Sequence, residues 1–187
     1  MEQRSVSKKT RVTVLLIAGS ALFALAVSVK AGFGFMFNTE ACLPTGWYVA
    51  VPIVGPLRVG QTVVMCPLAS NPVIRFAINR HWLGASQQSF CPGRLTPYVK
   101  QVFATSGDRV RIARDGVRVD GRAIPDTASL PTTGDGHTPM PHRMMGEFTV
   151  APGQVLLLAT DAKNAFDGRY FGTVPVVAVR RLAFKLP

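Results

Sequence analysis

At 187 residues and 20.1 kDa the chain is long enough for one domain with a buried core plus an appendage, and too short for two enzyme-sized units. Its net charge of +11 and pI near 10.5 suit nucleic acid, anionic lipid or an acidic partner without choosing among them. No internal repeat or low-complexity block is present, so solenoid and compositionally biased classes drop out.

Position along the chain is more informative than composition. Arg4, Lys8, Lys9 and Arg11 precede an 18-residue run from Val12 to Val29 that holds no charged residue and ends at Lys30. That length crosses a hydrocarbon core as a helix, and the basic leading flank favours an N-terminus in the cytoplasm with the rest outside. The expected partition is a basic tail over 1–11, a transmembrane anchor over 12–30 and an extracytoplasmic domain over 31–187. A cleavable signal peptide is the rival reading, since Ala24, Ala26, Ser28 and Ala31 are small enough for a cleavage site. An uncleaved anchor would leave residues 31–37, Ala-Gly-Phe-Gly-Phe-Met-Phe, as an aromatic collar at the membrane surface.

From residue 44 onward the texture is that of a β-rich domain: all 14 prolines lie there among glycines and short apolar runs. Strands are expected at 47–51, 62–65, 98–105, 109–112, 117–119, 154–159 and 174–179. Turns are expected at Gly60-Gln61, Ser106-Gly107-Asp108, Asp115-Gly116 and Asp120-Gly121. Asn71 and Pro72 read as an N-cap and first helical position, with Val73, Ile74, Ala77, Ile78 and Trp82 at helical spacing up to Gly84. Residues 123–146 read as an irregular excursion.

Cys42 is followed by Leu43-Pro44-Thr45-Gly46, and Pro44 restrains the backbone leading into the strand that starts near Trp47. We read Cys42 as a nucleophile; the alternatives are a buried apolar residue or one half of a disulfide. Three cysteines make an odd count. Cys66 and Cys91 bracket the helical insertion over 66–91, and pairing them would leave Cys42 free, although spacing does not settle the pairing. For a base, His81, His137 and His142 show no metal-ligand pattern and are expected to be surface or packing residues; no metal or cofactor is expected. On an extended 98–105 segment Tyr98, Lys100, Val102 and Ala104 share one face, which sets Lys100 in an apolar row. Burial there disfavours a charged ammonium and makes the amine usable as a base, against the alternative of a solvated edge-strand lysine.

Three ordered segments carry a family resemblance. These are Asn38-Thr39 with Leu43-Pro44-Thr45-Gly46-Trp47-Tyr48; Cys91-Pro92-Gly93 with Pro97-Tyr98-Val99-Lys100-Gln101-Val102 and Ser106-Gly107-Asp108; and Asn164-Ala165-Phe166-Asp167-Gly168-Arg169-Tyr170-Phe171-Gly172. Together they resemble the boxes of the signal peptidase family, in its conjugative-transfer (TraF-type) branch of pilin-processing peptidases. The resemblance implies a mainly β fold: a signal-peptidase-like catalytic domain with one short helical insertion behind a single transmembrane helix. It implies a nucleophile-lysine dyad of Cys42 and Lys100, an acid at Asp167 paired to Arg169, and substrate or oxyanion contacts from Thr39, Glu40, Leu43 and Pro44.

The chain departs from that pattern at three positions. Cys42 stands where the family carries serine, and a thiol beside Lys100 is expected to rest as thiolate with ammonium. Glu40 replaces a serine that often donates to the oxyanion, which leaves Thr39 or backbone N–H groups for that task. Ala165 replaces a serine that orients the lysine. The expected activity is endopeptidase processing of a pilin or other exported precursor at the periplasmic face of the cytoplasmic membrane, with conjugation machinery as partner and with joining of pilin ends into a ring as a further step. The alternative is a catalytically silent, membrane-anchored binding module. Nucleic-acid binding by Arg109, Arg111, Arg114, Arg118 and Arg122 is disfavoured by placement outside the cytoplasm.

Overall fold

Helix α1 (Lys8–Lys30) contains a stretch, Lys8–Ser28, of mean hydropathy 2.0, none of which packs against the rest of the chain. At about 1.5 Å per residue it is long enough to cross a bilayer, and no tertiary contact competes for its apolar surface. The computed structural model describes residues 8–30, 33–39, 42–87, 89–159 and 165–187.

Beyond α1 the chain is mainly β. Strands β1 (Gly34–Asn38), β2 (Gly46–Val51) and β3 (Thr62–Met65) come first, followed by helix α2 (Pro72–Asn79). Then come β4 (Tyr98–Ala104), β5 (Arg109–Ala113), β6 (Gly116–Val119), β7 (Arg122–Ile124), β8 (Gly146–Thr149) and β9 (Gln154–Leu158). The one-turn helix α3 (Gly168–Phe171), β10 (Val174–Pro175) and β11 (Val179–Lys185) complete the fold. Seven strands form one antiparallel sheet in the order β1-β2-β11-β3-β4-β9-β10, and four form a second in the order β7-β6-β5-β8.

The middle of the large sheet is covered on both faces. Val63, Met65, Val102 and Leu157 pack with Ile74 and Ala77 of α2 and Phe171 of α3, while Val64 and Val99 pack on the other side with Leu43, Tyr48 and Ala183. This double burial explains why β3 reads as an unbroken apolar run instead of alternating. Leu156 and Leu158 of β9 turn toward Val110, Ile112 and Val117 of the small sheet, so β9 serves two cores.

Several expectations need correcting. Helix α2 stops at Asn79, short of Gly84, because Arg80 leaves helical geometry and His81 takes a left-handed φ of 55°. The Trp82 N–H then donates to Ala77 O at 3.0 Å, which folds the chain back over the helix. Asn71 does cap it, accepting from the Val73 and Ile74 N–H groups, and its amide also donates to Phe171 O at 2.8 Å, tying α2 to α3. The strand expected at 174–179 is a two-residue β10, a 3-10 turn and then β11. Pro175 lacks an N–H and sits on the sheet edge, where a missing donor is tolerated. Residues 123–146 are not wholly irregular, for β7 enters them and β8 leaves them. Residues 34–37 of the expected collar form β1 with exposed Phe35 and Phe37, while Ala31 and Gly32 lie outside the described residues. Phe37 meets Trp47 edge-on at 5.2 Å, and Phe184 pairs with Val49 beside Phe35, so a row of exposed aromatics covers the strands nearest α1.

Cys66 and Cys91 are bonded, with Cα atoms 5.3 Å apart and a sequence separation of 25. Replacing both by alanine is expected to lower stability by about 3 kcal/mol through the released loop entropy, measurable by denaturant unfolding in detergent. His142 packs on Tyr170 with ring centroids 5.2 Å apart. Burial holds its imidazole below the ordinary 6.5, Arg114 adds to that, and a hydrogen bond with the Met140 backbone works against it. An unfolded chain therefore takes up a proton that the folded one resists, so stability is full above about pH 6.5 and falls as the pH drops below it. Melting curves at about pH 8 and about pH 5.5 should show a smaller acid-induced drop for His142→Phe than for the wild type.

Candidate active site

Cys42 falls between β1 and β2 in the sequence, and the residues beside it show how the chain from Cys42 into β2 is held. Leu43 is buried against Val64 and Val99, which pins the chain to the middle strands of the large sheet one residue after the thiol. Buried Asn38 donates from its amide to Leu43 O at 3.0 Å, and Tyr48 donates from its hydroxyl to Pro44 O at 2.8 Å, so carbonyls of the turn are held from both flanking strands. Cys42 itself is half-buried and unbonded. Leu43, expected at the substrate, is buried, Pro44 is exposed, and neither is among the residues lining the cavity described next. Thr39 is exposed and lines the cavity described next. Glu40, expected near the oxyanion, lies outside the described residues.

Lys100 comes from β4, which is flanked by β3 and β9 and is no edge strand. Its residue is 2% exposed, and its Nζ lies 5.1 Å from the centroid of the Tyr98 ring on the same strand face. Val99 packs beside Leu43 while Lys100 projects to the other side, so the register that seats Leu43 also brings the lysine strand next to the thiol. Cys42 and Lys100 line one cavity of about 430 Å³. Its other walls are mainly apolar: Met36 and Phe37 from β1, Pro97, Tyr98 and Val99 before and within β4, and Trp82, Ala165 and Phe166. A thiol and a nearly inaccessible amine thus line one mainly apolar cavity, an arrangement suited to acyl transfer.

Asp167 and Arg169 are both fully buried and form a two-pronged pair, Nε to Oδ1 at 2.9 Å and Nη2 to Oδ2 at 3.0 Å. Asp167 also accepts from the Ala159 N–H at 2.9 Å and the Arg169 N–H at 3.0 Å, and Arg169 Nη1 donates to the carbonyls of Asp126 and Ala128. Neither residue is among those lining the cavity. Gly168 between them is required by close approach, because a Cβ there would lie 2.6 Å from Leu157 O and 2.8 Å from a Leu156 methyl.

Trp82 and Phe166 are site residues that sequence reasoning did not assign. Trp82 continues the helical spacing of α2 in the sequence, and only its place beyond the true end of the helix sends it to the cavity. The hairpin arginines face outward. Arg109, Arg111 and Arg118 line a separate depression of about 620 Å³ with Asp120 and Glu147, and Arg109–Glu147 at 3.5 Å and Arg111–Asp115 at 3.6 Å interleave the charges. That is a mixed face, not a continuous basic track.

The chain is similar to several known proteins. A family model described as signal peptidase, peptidase S26, matches residues 7–183. A plasmid transfer protein TraF of Escherichia coli is 34% identical over 160 residues, covering 86% of this chain and 85% of its own length. A conjugal transfer protein TraF of Agrobacterium tumefaciens is 32% identical over 174 residues, covering 92% and 94%. A crystal structure of a signal peptidase I from Enterococcus faecalis aligns with a TM-score of 0.37 at 13% identity, over 70% of this chain and 98% of that one.

Removing one member of a buried ion pair leaves the other charged and unpaired. Asp167→Ala is therefore expected to cost about 3–5 kcal/mol in urea unfolding, whatever it does to activity.

Proposed function

The chain belongs to the peptidase S26 signal peptidase family, and from that premise we propose that it is a membrane-anchored endopeptidase that processes an exported precursor, a pilin, for conjugative transfer. The conjugal and plasmid transfer proteins to which it is similar support the setting. The observation that carries the activity is the shared cavity of Cys42 and buried Lys100.

The precursor enters as an extended segment against strand edges near Cys42. With its proton passed to Lys100, Cys42 Sγ attacks the scissile carbonyl carbon, forming a C–S bond as the C=O π bond opens. The oxyanion of the tetrahedral adduct is met by Thr39 or by backbone N–H groups such as that of Cys42. Collapse of the adduct breaks the C–N bond, Lys100 delivers a proton to the leaving amine, and a thioester remains on Cys42. Water or the pilin's own amino terminus then attacks the thioester and restores the thiol; the second route closes the chain into a ring. Amines compete well with water for thioesters, so a thiol in place of serine favours ring closure. Asp167 acts in this scheme as a positioning residue that holds α3, and with it Ala165 and Phe166, against the cavity.

The N-terminal helix fits a single-pass anchor. Lys8, Lys9 and Arg11 at its start favour an N-terminus in the cytoplasm, and the Cys66–Cys91 disulfide suits an oxidising compartment such as the periplasm. The exposed aromatic row of Phe35, Phe37 and Trp47 then lies at the outer face of the inner membrane, where the precursor emerges. A second reading, a silent binding module of a transfer assembly, is favoured by Ala165, which lines the cavity without a hydroxyl to orient the lysine.

Cys42→Ala is expected to lower precursor processing by at least about a thousandfold and Lys100→Ala by about a hundredfold or more, followed by mass spectrometry of the pilin. The wild type should also yield an acyl adduct on Cys42. Processing that survives both changes sinks the proposal, and a transfer-competent Cys42→Ala strain without processing defects favours the silent module.

A further inference from the structure

We infer that Trp82 is the specificity-determining wall of the Cys42 cavity, limiting the size of the apolar side chain that a substrate places beside the thiol; this rests on the reading of Cys42 as nucleophile. Trp82 lines the same cavity as Cys42 and Lys100, and 39% of it remains exposed. Its ring is braced edge-on by Phe76 at 5.4 Å and by Phe166 at 6.0 Å, and Phe166 is stacked in turn on Tyr170 at 6.0 Å. A ring supported on two sides cannot swing away to admit a larger group without breaking both contacts.

The backbone that carries Trp82 is equally fixed. Thr96 N–H donates to Gly84 O at 2.8 Å and Ser86 N–H to Arg94 O at 2.9 Å, so the segment after α2 is laced to the chain entering β4. The Cys66–Cys91 bond closes the excursion from its other end. Gly84 also lines the cavity, and a Cβ there would approach Thr96 Oγ1 to 3.0 Å, which shows how closely the two segments meet. Met36, Phe37 and Val99 line the same cavity, and among the described residues Lys100 is the one charged group there. An arriving side chain thus meets apolar surface, and the indole sets how deep it can go. Such steric limits on apolar groups discriminate by about ten- to two-hundredfold.

The test uses the full chain in detergent and acetyl-peptide aldehydes ending in Ala, Leu or Phe. The thiol adds to the aldehyde carbon: the S–C bond forms as the C=O π bond opens, and the thiol proton passes to the oxygen, giving a hemithioacetal with no oxidant or leaving group. Bound aldehyde protects Cys42 from iodoacetamide, which intact mass reports cleanly because Cys66 and Cys91 are bonded to each other. In the wild type the Ala aldehyde should protect at concentrations at least about tenfold lower than the Phe aldehyde. Trp82→Ala should bring the two within about twofold, and Trp82→Phe should keep the wild-type order. Trp82→Leu replaces Trp82→Ala in the comparison if the latter loses wild-type melting behaviour. A wild type without size preference, or a truncated variant with an unchanged ratio, overturns the inference alone. Absence of protection by all three aldehydes in a chain whose Cys42 still alkylates overturns the nucleophile reading, and the inference with it.

Discussion

The buried pair of Asp167 and Arg169 is the constraint on which the rest of the domain depends. Its two residues span the end of β9, the start of α3 and the carbonyls of Asp126 and Ala128 beyond β7, so one guanidinium links the large sheet to the margin of the small one. Desolvating two charges costs several kcal/mol per ion, and the pair recovers that only because each carboxylate oxygen receives two hydrogen bonds. Its contribution lies in uniqueness of arrangement more than in net stability. Gly168 admits the backbone contact that this register of α3 on β9 needs.

From α3 the constraint passes to the cavity by steps that can be named. Phe171 O accepts from Asn71, which caps α2; α2 ends where His81 turns left-handed; the reversal delivers Trp82 to a position against Phe166, one residue before Asp167. Cys42 and Lys100 arrive by a separate route, through the Leu43 and Val99 contact at the centre of the large sheet. The chemical pair is therefore set by strand register, whereas the apolar wall facing it is set by the ion pair and the disulfide-closed excursion. Mutations that disturb one route need not disturb the other.

How legible each part was in the sequence follows from the range of the interactions involved. Thr62–Met65, the Asn71 cap and the hairpin turns at Asp115-Gly116 and Asp120-Gly121 were readable because local chemistry decides them. Lys100 was readable as a buried lysine because its strand is apolar on the same face. Strand β11 was not, since Arg180, Arg181 and Lys185 blur its alternation and a register shift between Val179 and Arg181 breaks the period; only pairing with β2 and β3 defines it. β1 was hidden because its exposed phenylalanines read as a membrane collar, and the end of α2 was hidden because Trp82 continues the helical spacing past the point where the backbone turns. Asp167 is legible as important, while its four accepted hydrogen bonds, two from the Arg169 guanidinium and two from backbone N–H groups, are visible only in the structure.

The disulfide takes its meaning from these two routes. A helix of eight residues has too few internal hydrogen bonds to hold itself in water, and the excursion that carries α2 leaves the sheet after β3 and returns only at β4. Packing of Ile74 and Ala77 seats one face of the helix on the core, but Trp82 lies past its end, where the half-exposed indole gains little from burial. Past it Leu83 and Leu95 rejoin the same core, and the Cys66–Cys91 bond and the lacing of Gly84 and Ser86 to the segment before β4 fasten the excursion further. Because Cys91 lies shortly before Lys100, the same closure ties the wall of the cavity to the strand that presents the amine. The bond is then part of what keeps the cavity in shape, and reducing conditions would loosen the wall that Trp82 forms.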